Sequence, residues 1–267
     1  MDHLTQLENR SIYIIREAYA QFKSMACMWS VGKDSCVTLW LCRKAFFGKI
    51  PFPVIHIDTG YKFPEMYTFR DEIAKKWGLD LIVAENKKAK EEGVSPKTHD
   101  KFECCTRLKT DALKILLNER KFDALILAIR RDEHGIRAKE RYFSPRDQAF
   151  QWDYKNQPPE MWNLYKKLHE SGTHVRVHPI LHWTELDVWN YIKRENIPIN
   201  PLYFAKNGKR YRSLGCVPCT QPIDSNADTI DKIIEELKTS KISERAGRAQ
   251  DKEKAYMMQK LRSLGYM

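Results

Sequence analysis

The chain has no long apolar run. No uninterrupted stretch of about 18 apolar residues occurs, so we expect no helix that spans a membrane. Residues 1–5 lack the basic start and apolar core of a secretory signal. Repeats and low-complexity tracts are absent, and 42% apolar with 30% charged residues excludes a disordered or fibrous chain. These absences predict a globular, cytoplasmic protein.

The chain also has no Walker A loop, because the G-x-x-x-x-G-K-S/T spacing does not occur in it. That excludes the P-loop nucleotide hydrolases. Acidic residues are outnumbered, with 35 Asp and Glu against 46 Lys and Arg and a net charge of +11. The excess favours phosphate-rich partners such as nucleotides or nucleic acid. A basic enzyme without such a partner is the alternative.

Short apolar segments alternate with helical segments along most of the chain. This alternation predicts an α/β fold with a doubly wound parallel sheet covered by helices on both faces. We expect five strands, at residues 25–29, 54–58, 81–83, 124–129 and 175–180. Residues 145–174, rich in Pro, Trp, Asn and charge, are interpreted as a long ordered loop. Ligands bind such sheets at the carboxyl ends of the strands.

We expect two parts of the chain to differ in structure and composition. Residues 1–200 form the predicted nucleotide-binding domain, and residues 201–267 form a basic, loop-rich segment packed on it. Helices are predicted in that segment at residues 228–238 and 250–263.

The segment from Ser30 to Ser35 lies where the first strand passes into a helix. Gly32 allows close backbone approach, and free N–H groups at the start of a helix hold phosphate oxygens. Lys33 adds a positive charge, and the two serine hydroxyls add donors. A structural turn with a capping side chain is the alternative. We predict that this loop binds pyrophosphate, through Ser30, Gly32, Lys33, Asp34 and Ser35.

Two further groups follow strands. Asp58, followed by Thr59 and Gly60, is placed to accept from a ribose hydroxyl or to hold Mg²⁺, with a turn cap as the alternative. A run of basic residues follows the fourth strand, where we prefer a phosphate clamp to a solvated basic face. Its members are Arg130, Arg131, Arg137, Lys139 and Arg141.

Four of the seven cysteines form an adjacent pair, Cys104 and Cys105, and a C-x-x-C, Cys216 and Cys219. Four thiolates suit a [4Fe–4S] cluster or a tetrahedral zinc site, although an adjacent pair is unusual for zinc. Ordinary buried thiols are a third possibility. Cys27, Cys36 and Cys42 are predicted to be core residues.

The phosphate loop resembles that of the ATP pyrophosphatases related to PAPS reductase, an adenine nucleotide alpha hydrolase-like superfamily. Their loop is normally SGGKDS, and Val31 stands where most members have glycine. Residues 56–60 resemble the second-strand motif of this family, near the adenosine, and residues 128–141 and 243–248 are similar to the small subunit of sulfate adenylyltransferase. The resemblance implies ATP and Mg²⁺ as ligands, adds Arg245 and Arg248 to the ATP-binding residues, and implies catalytic roles for Lys33, Asp34, Arg130 and Arg131.

The cysteine pattern resembles the iron–sulfur motif of assimilatory adenylyl-sulfate reductases, which implies a [4Fe–4S] cluster on the four cysteines. Those reductases act through a cysteine near the C-terminus, and this chain has none after Cys219. Sulfate adenylyltransferase small subunits, in turn, generally lack the four cysteines. An adenylyltransferase body with this motif and no reductase tail looks like the ATP pyrophosphatases of Ssp- and Dnd-type DNA phosphorothioation.

We therefore expect an enzyme that cleaves ATP to AMP and pyrophosphate and adenylates a DNA phosphate, with sulfur passed through the cluster. A cysteine desulfurase and other phosphorothioation proteins are the expected partners, with DNA as substrate and self-association as a further possibility. The first alternative is a sulfate adenylyltransferase small subunit, which needs a GTPase partner. The second is an adenylyl-sulfate reductase-like protein or a non-catalytic iron–sulfur scaffold.

Overall fold

A six-stranded sheet lies at the centre of the computed structural model, which describes residues 1–157, 159–165, 174–240, 244–245 and 260. The strands are β1 (Met25–Met28), β2 (Val54–Ile57), β3 (Leu81–Ala84), β4 (Ala124–Ile126), β5 (Phe143–Arg146) and β6 (His174–Val177). Their order across the sheet is β3-β2-β1-β4-β6-β5. All neighbouring pairs are parallel except β5 and β6, which pair antiparallel at one edge.

The predicted α/β, doubly wound architecture is confirmed, but the predicted number of five strands is wrong. The additional strand, β5, runs into the segment interpreted as a loop, which begins at its last two residues, Pro145 and Arg146. It carries Pro145, which cannot donate to a ladder, and Arg146, which is buried against Glu140 at 3.0 Å. A strand without an apolar pattern gives no periodic signal in the sequence.

Eight α-helices are described around the sheet. They are α1 (His3–Gln21), α2 (Lys33–Ala45), α3 (Pro64–Trp77), α4 (Lys87–Glu91), α5 (Lys101–Cys105), α6 (Asp111–Arg120), α7 (Glu185–Glu195) and α8 (Ile230–Thr239). A π-helical turn, Thr106–Thr110, joins α5 to α6. Helices α1, α2 and α7 contact one another, and α8 packs on α7.

Local sequence explains where the helices begin and end. Asp2 caps α1 by accepting from the Thr5 backbone N–H. Thr184 and Asp187 form a reciprocal capping box at the start of α7. Gly78, in the left-handed conformation, ends α3. None of the described helices combines the length and apolar composition that crossing a membrane requires.

The core lies on both faces of the central strands. Every residue of β1, β2, β4 and β6 is buried, as a parallel sheet with helices on both sides requires. Cys27, Cys36 and Cys42 are among the buried residues, which confirms their predicted place in the core.

The segment after residue 200 holds a 3₁₀ turn, Pro201–Tyr203, a short hairpin of β7 (Lys209–Arg210) with β8 (Ile223–Asp224), and helix α8. Tyr203 and the α8 residues Ile233 and Ile234 belong to the same apolar core as the sheet. Helix α8 lies where a helix was predicted. The predicted helix at 250–263 and Arg248 lie outside the described residues, apart from residue 260. The domain boundary at residue 200 stays a prediction.

The sheet order places a topological switch point beside β1. The chain leaves β1 for β2 on one side, and β4 pairs on the other. In doubly wound sheets the crevice at such a point, at the carboxyl ends of the strands, is where ligands bind.

Candidate functional site

The loop between β1 and α2 lies at this crevice. Gly32 is the N-cap of α2 and provides no side chain to cap the helix, so the N–H groups of its first turn have no acceptor from the N-cap residue. The Ser35 hydroxyl donates to the Gly32 carbonyl at 2.9 Å and lies 3.1 Å from the Ser30 hydroxyl. The loop therefore presents backbone donors and two hydroxyls at one helix terminus.

Val31 has a backbone φ of +66°, in the left-handed region that a β-branched residue rarely adopts. Its side chain is fully buried in the apolar core. The loop thus keeps a conformation typical of glycine at this position, and packing of the valine side chain holds it there.

Tyr203, which lies in the C-terminal segment, contacts the phosphate loop. Its hydroxyl accepts from the Lys33 backbone N–H at 2.9 Å, and the residue is buried. Burial raises the pKa of Tyr203 to about 12, so the phenol stays neutral near pH 7. Tyr203 therefore serves as an acceptor for the first N–H of α2.

Two buried cations form the centre of the site. The Lys33 ammonium pairs with Glu244, with Asp34 at 3.4 Å and with Glu185 at 3.7 Å. The Arg130 guanidinium pairs with Glu244, with Asp34, and with Asp132 at 2.9 Å. We call Lys33 and Arg130 the cation cradle.

The carboxylates keep the cradle charged. Burial lowers the pKa of Arg130, but the carboxylates of Glu244 and Asp132 outweigh burial and hold it above its ordinary value. Burial likewise raises the pKa of Glu244, yet Arg130 and Lys33 hold it far below its ordinary value. Because both partners stay ionised, the cradle is a site for charge pairing with anions.

The main cavity of the described residues, about 170 Å³ in volume, opens beside the cradle. The ends of β2 and β4 supply an apolar wall, with Ile57, Leu127 and Ile129. The phosphate loop lines the same cavity. The charged residues that line the cavity are Lys33, Asp34, Lys62, Lys109, Glu133, Arg137, Glu244 and Arg245. A lining that combines apolar residues with polar and cationic ones suits a nucleotide, which has an apolar base and charged phosphates.

Glu133 joins two of the predicted basic residues. Its carboxylate pairs with Arg137 and accepts from Arg245 at 3.0 Å. Arg131 points elsewhere, because its guanidinium lies 5.4 Å from the centre of the Tyr142 ring and donates to the Glu140 carbonyl. Of the basic run that follows β4, Arg137 lines the cavity, whereas Arg131 and Arg141 are half-buried outside its lining and Lys139 is exposed.

The Asp58 segment lies apart from the main cavity, none of whose lining residues it supplies. Asp58 accepts from the Gly60 N–H and the Tyr67 hydroxyl, both at 2.8 Å. Burial raises the pKa of Asp58, but these hydrogen bonds outweigh it and the pKa lies below its ordinary value. Thr59 faces the cysteines, with its hydroxyl 3.2 Å from the Cys216 sulfur.

The four cysteines of the CC and C-x-x-C motifs come together. All four line one small cavity of about 10 Å³, which Thr59 and Lys109 also line. Cys104 and Cys105 end α5, whereas Cys216 precedes a 3₁₀ turn, Val217–Cys219, and Cys219 ends it. We call these residues the thiol cluster. Since Lys109 lines both cavities, the thiol cluster lies beside the main cavity.

The Cys104 thiol is protonated near pH 7. Burial, followed by the charges that neighbouring Cys105 and Cys216 would carry, raises the pKa of Cys104 to about 12. Among the described residues, no group of three or more His, Cys, Asp or Glu side chains is arranged to hold a metal ion. The predicted [4Fe–4S] cluster therefore stays a prediction: its four residues line one cavity, but their side chains are not arranged around a metal ion.

Several residues of the site were not among the predicted ones. Tyr203, Lys62 and Lys109 line the main cavity without belonging to any predicted set, and Glu133, within the segment 128–141, was given no role. Glu244 lies next to Arg245 in a segment whose resemblance singled out only the arginines. Charged side chains near a motif were the signal available for Glu133 and Glu244, whereas Tyr203 carried none.

Comparisons with known proteins show the family of the chain. The profile of the phosphoadenosine phosphosulfate reductase domain matches residues 24–222. A sulfate adenylyltransferase subunit 2 from Aeromonas salmonicida is 46% identical to this chain, over 100% of this chain and 96% of that protein. Another from Shewanella frigidimarina is 45% identical, over 100% and 98% of the two chains.

Solved structures are similar in fold. A PAPS reductase from Candida auris superposes with a TM-score of 0.59 at 19% identity, covering 82% of this chain and 96% of that one. An FMN adenylyltransferase from Candida glabrata in complex with ATP gives 0.61 at 19% identity, covering 92% and 87%. At these identities the likeness concerns the fold alone.

These relatives correct two expectations. Proteins named sulfate adenylyltransferase subunit 2 match the full chain at 44–46% identity, so DNA phosphorothioation as the main interpretation is wrong. A cysteine desulfurase and DNA are wrong as the expected partners for the same reason. The presence of the four cysteines is therefore no argument against the sulfate alternative.

Proposed function

This chain belongs to the phosphoadenosine phosphosulfate reductase domain family, and from this premise we propose that it is the ATP-binding subunit of a sulfate adenylyltransferase. It is an adenylyl-transferring enzyme by its relatives and its fold. The observation that carries the proposal is the cation cradle at the phosphate loop, beside a cavity with one apolar wall. Its seven free cysteines fit a reducing, cytoplasmic setting.

The proposed reaction joins sulfate to the α-phosphate of ATP. A sulfate oxygen attacks the α-phosphorus and forms a phosphorus–oxygen–sulfur bridge, while the bond between that phosphorus and the bridging oxygen to the β-phosphate breaks. Pyrophosphate leaves with the bonding electrons, and adenylyl sulfate remains. Such a displacement needs alignment and charge neutralisation rather than a covalent protein intermediate.

Different residues provide the alignment and the charge neutralisation, according to their positions in the cavity. Backbone N–H groups at the start of α2, with the hydroxyls of Ser30 and Ser35, hold the β- and γ-phosphates. Lys33 and Arg130 neutralise the charge that develops on the leaving pyrophosphate. ATP enters as its Mg²⁺ complex, and Asp34 is the loop carboxylate that faces it.

We assign the adenine and the sulfate to different parts of the cavity lining. Ile57, Leu127 and Ile129 form the apolar surface for the base. Arg137 and Arg245 line the same cavity and are held by Glu133, which places two guanidinium groups together for a divalent anion. We assign sulfate to this side of the cavity.

The name subunit 2 among the relatives implies at least one other subunit. We propose that this chain acts with a partner subunit, which the resemblance described above identifies as a GTPase.

The test is formation of adenylyl sulfate. The chain and its partner subunit, supplied with MgATP, GTP and labelled sulfate, should yield labelled adenylyl sulfate separated by anion exchange. Lys33→Ala should lower the rate about 100-fold, because it removes one preorganised charge from the site. ATP cleavage that proceeds equally without sulfate, and gives no adenylyl sulfate, would contradict the proposal.

We propose in addition that the thiol cluster holds an iron–sulfur cluster. Four cysteine side chains on one cavity match the usual donor set in number and kind. When bound, such a group would supply redox or structural chemistry next to the nucleotide, and we route no step of sulfate activation through it. Cys104, Cys105, Cys216 and Cys219 would be its ligands.

Anaerobic purification tests this second proposal. The protein should carry about four iron atoms per chain with matching sulfide, and Cys104→Ser should abolish the iron. Cys42→Ser is the matched control, since Cys42 is buried in the core away from the thiol cluster. Iron-free protein after iron-replete anaerobic expression would rule out the cluster.

A further inference from the structure

The Glu244 carboxylate lies inside the cation cradle, although Glu244 belongs to the C-terminal segment. One carboxylate oxygen accepts from the Lys33 ammonium and the other from the Arg130 guanidinium. The side chains of Lys33 and Arg130 are 1% and 0% exposed, and that of Glu244 is 6% exposed. Two anionic oxygens, one on each cation, are what a phosphate group would offer at the same place.

The charges around the cradle leave no room for a further anion. Four carboxylates, those of Asp34, Asp132, Glu185 and Glu244, pair with the two cations. A polyphosphate added to this arrangement would meet like charges within a few ångströms in a partly desolvated site. One of the four carboxylates must therefore withdraw when a phosphate group enters.

Three of the four are held by a helix or by contacts outside the cradle. Asp34 belongs to the first turn of α2. Asp132 accepts from the Glu185 backbone N–H at 2.8 Å, and Glu185 pairs with Arg212 at 2.7 Å. Among the described residues, the hydrogen bonds and ion pairs of Glu244 go to Lys33 and Arg130. Glu244 is therefore the carboxylate that can leave without breaking the fold.

Building on the function proposed above, we propose that Glu244 is an internal substitute for a substrate phosphate group. It occupies the cradle in the ligand-free chain and is displaced when ATP or pyrophosphate binds. Because Arg245 lines the same cavity and pairs with Glu133 at 3.0 Å, the displacement also moves a cation at the cavity wall. Entry of the nucleotide is thereby coupled to a movement of residues 244 and 245.

Inorganic pyrophosphate without divalent metal is the probe, with binding measured by calorimetry in EDTA. Glu244→Gln should bind pyrophosphate about tenfold more tightly than the parent, because the competing charge is gone and more of the protein is ready to bind. Glu235→Gln, an exposed carboxylate on α8 paired with Lys238, is the matched control and should bind like the parent. Equal or weaker binding by Glu244→Gln would overturn the proposal.

A second measurement on the parent chain avoids any folding defect of the variant. Hydrogen exchange in the peptide that contains residues 244 and 245 should rise when pyrophosphate is added. Unchanged or slower exchange there would overturn the displacement. Neither measurement uses sulfate, so loss of adenylyl sulfate formation with normal pyrophosphate displacement would refute the proposed function and leave this inference standing.

Discussion

Gly32 has little room for a side chain on the side facing Tyr203. A methyl group there would lie 3.3 Å from the Tyr203 hydroxyl and 3.4 Å from the Ser30 hydroxyl. Its φ of −84° suits any residue, so alanine adds no backbone strain. Alanine also restricts the unfolded chain, which contributes about 0.4–1 kcal/mol to stability. An added methyl group is therefore expected to affect the position of the loop more than the stability of the fold.

We predict that Gly32→Ala lowers kcat/KM for ATP about tenfold with little change in Tm, because the loop must shift to relieve the contact and small displacements weaken catalysis strongly. Steady-state kinetics and thermal unfolding would measure both. Gly135→Ala is the control, since nothing lies within 4 Å of the added methyl. Parent-like activity in Gly32→Ala would show that the loop does not position the phosphates.

At the residue scale, the sequence predicted best what is local. The strand-to-helix junction at Ser30–Ser35 could be located because its glycine, lysine and hydroxyls are contiguous. The pairing of Lys33 with Glu244 joins residues 211 positions apart, and no periodicity reports such a contact. The four cysteines were grouped by a motif, and their spacing alone says nothing of whether they hold metal.

Among the elements, the 3₁₀ turn Pro201–Tyr203 has the most direct influence on the phosphate loop. We predict that Tyr203→Phe lowers the free energy of unfolding by about 1–3 kcal/mol, because the Lys33 N–H loses its buried acceptor. The KM for ATP should change as well, since that N–H begins α2. Urea unfolding and ATP kinetics would measure the two effects.

Tyr191→Phe provides the comparison for this element. Tyr191 is also buried, and its hydroxyl donates to Glu8 at 2.6 Å. Loss of this hydroxyl should lower the free energy of unfolding by a comparable amount and leave the KM for ATP unchanged. If both variants alter the KM equally, the turn stabilises the fold without positioning the loop.

Element prediction from sequence succeeded where burial imposes an apolar pattern and failed where polar groups are buried in pairs. Strands β1, β2, β4 and β6 are wholly buried, and their ranges were recognisable. Strand β5 includes Arg146, whose charge is met by Glu140 and whose guanidinium donates to the Ser144 hydroxyl at 2.8 Å. Pairing of this kind hides a buried strand from any hydrophobicity pattern.

For the whole molecule, the response to acid is set by ion-paired carboxylates whose pKa values in the folded chain lie below their ordinary values. Cations hold the pKa of Glu244 below its ordinary value despite burial, and the same holds for Glu236 beside Arg210. A group with a lowered folded pKa stabilises the fold fully above its unfolded value, about 4.3, and loses that contribution as pH falls through the folded value. Acid should therefore destabilise the chain from about pH 5 downward.

We predict that Glu244→Gln is less stable than the parent at pH 7, and that the difference shrinks as the pH is lowered from 5 to 3. One proton taken up on unfolding corresponds to about 1.4 kcal/mol per pH unit. Urea unfolding across this range would measure the two slopes, with Glu235→Gln as the control. Parallel slopes for parent and Glu244→Gln would mean that Glu244 is not ionised in the fold.

Val31 has one more consequence, for the thermodynamics of ligand binding. Fixing one residue's backbone costs about 1–2 kcal/mol in conformational entropy, and glycine has the most freedom to lose. A valine anchored in the core gives up that freedom when the chain folds, and its left-handed backbone costs about 1–2 kcal/mol at the same stage. The entropic cost of shaping the loop is thereby moved from the binding of a nucleotide to the folding of the chain.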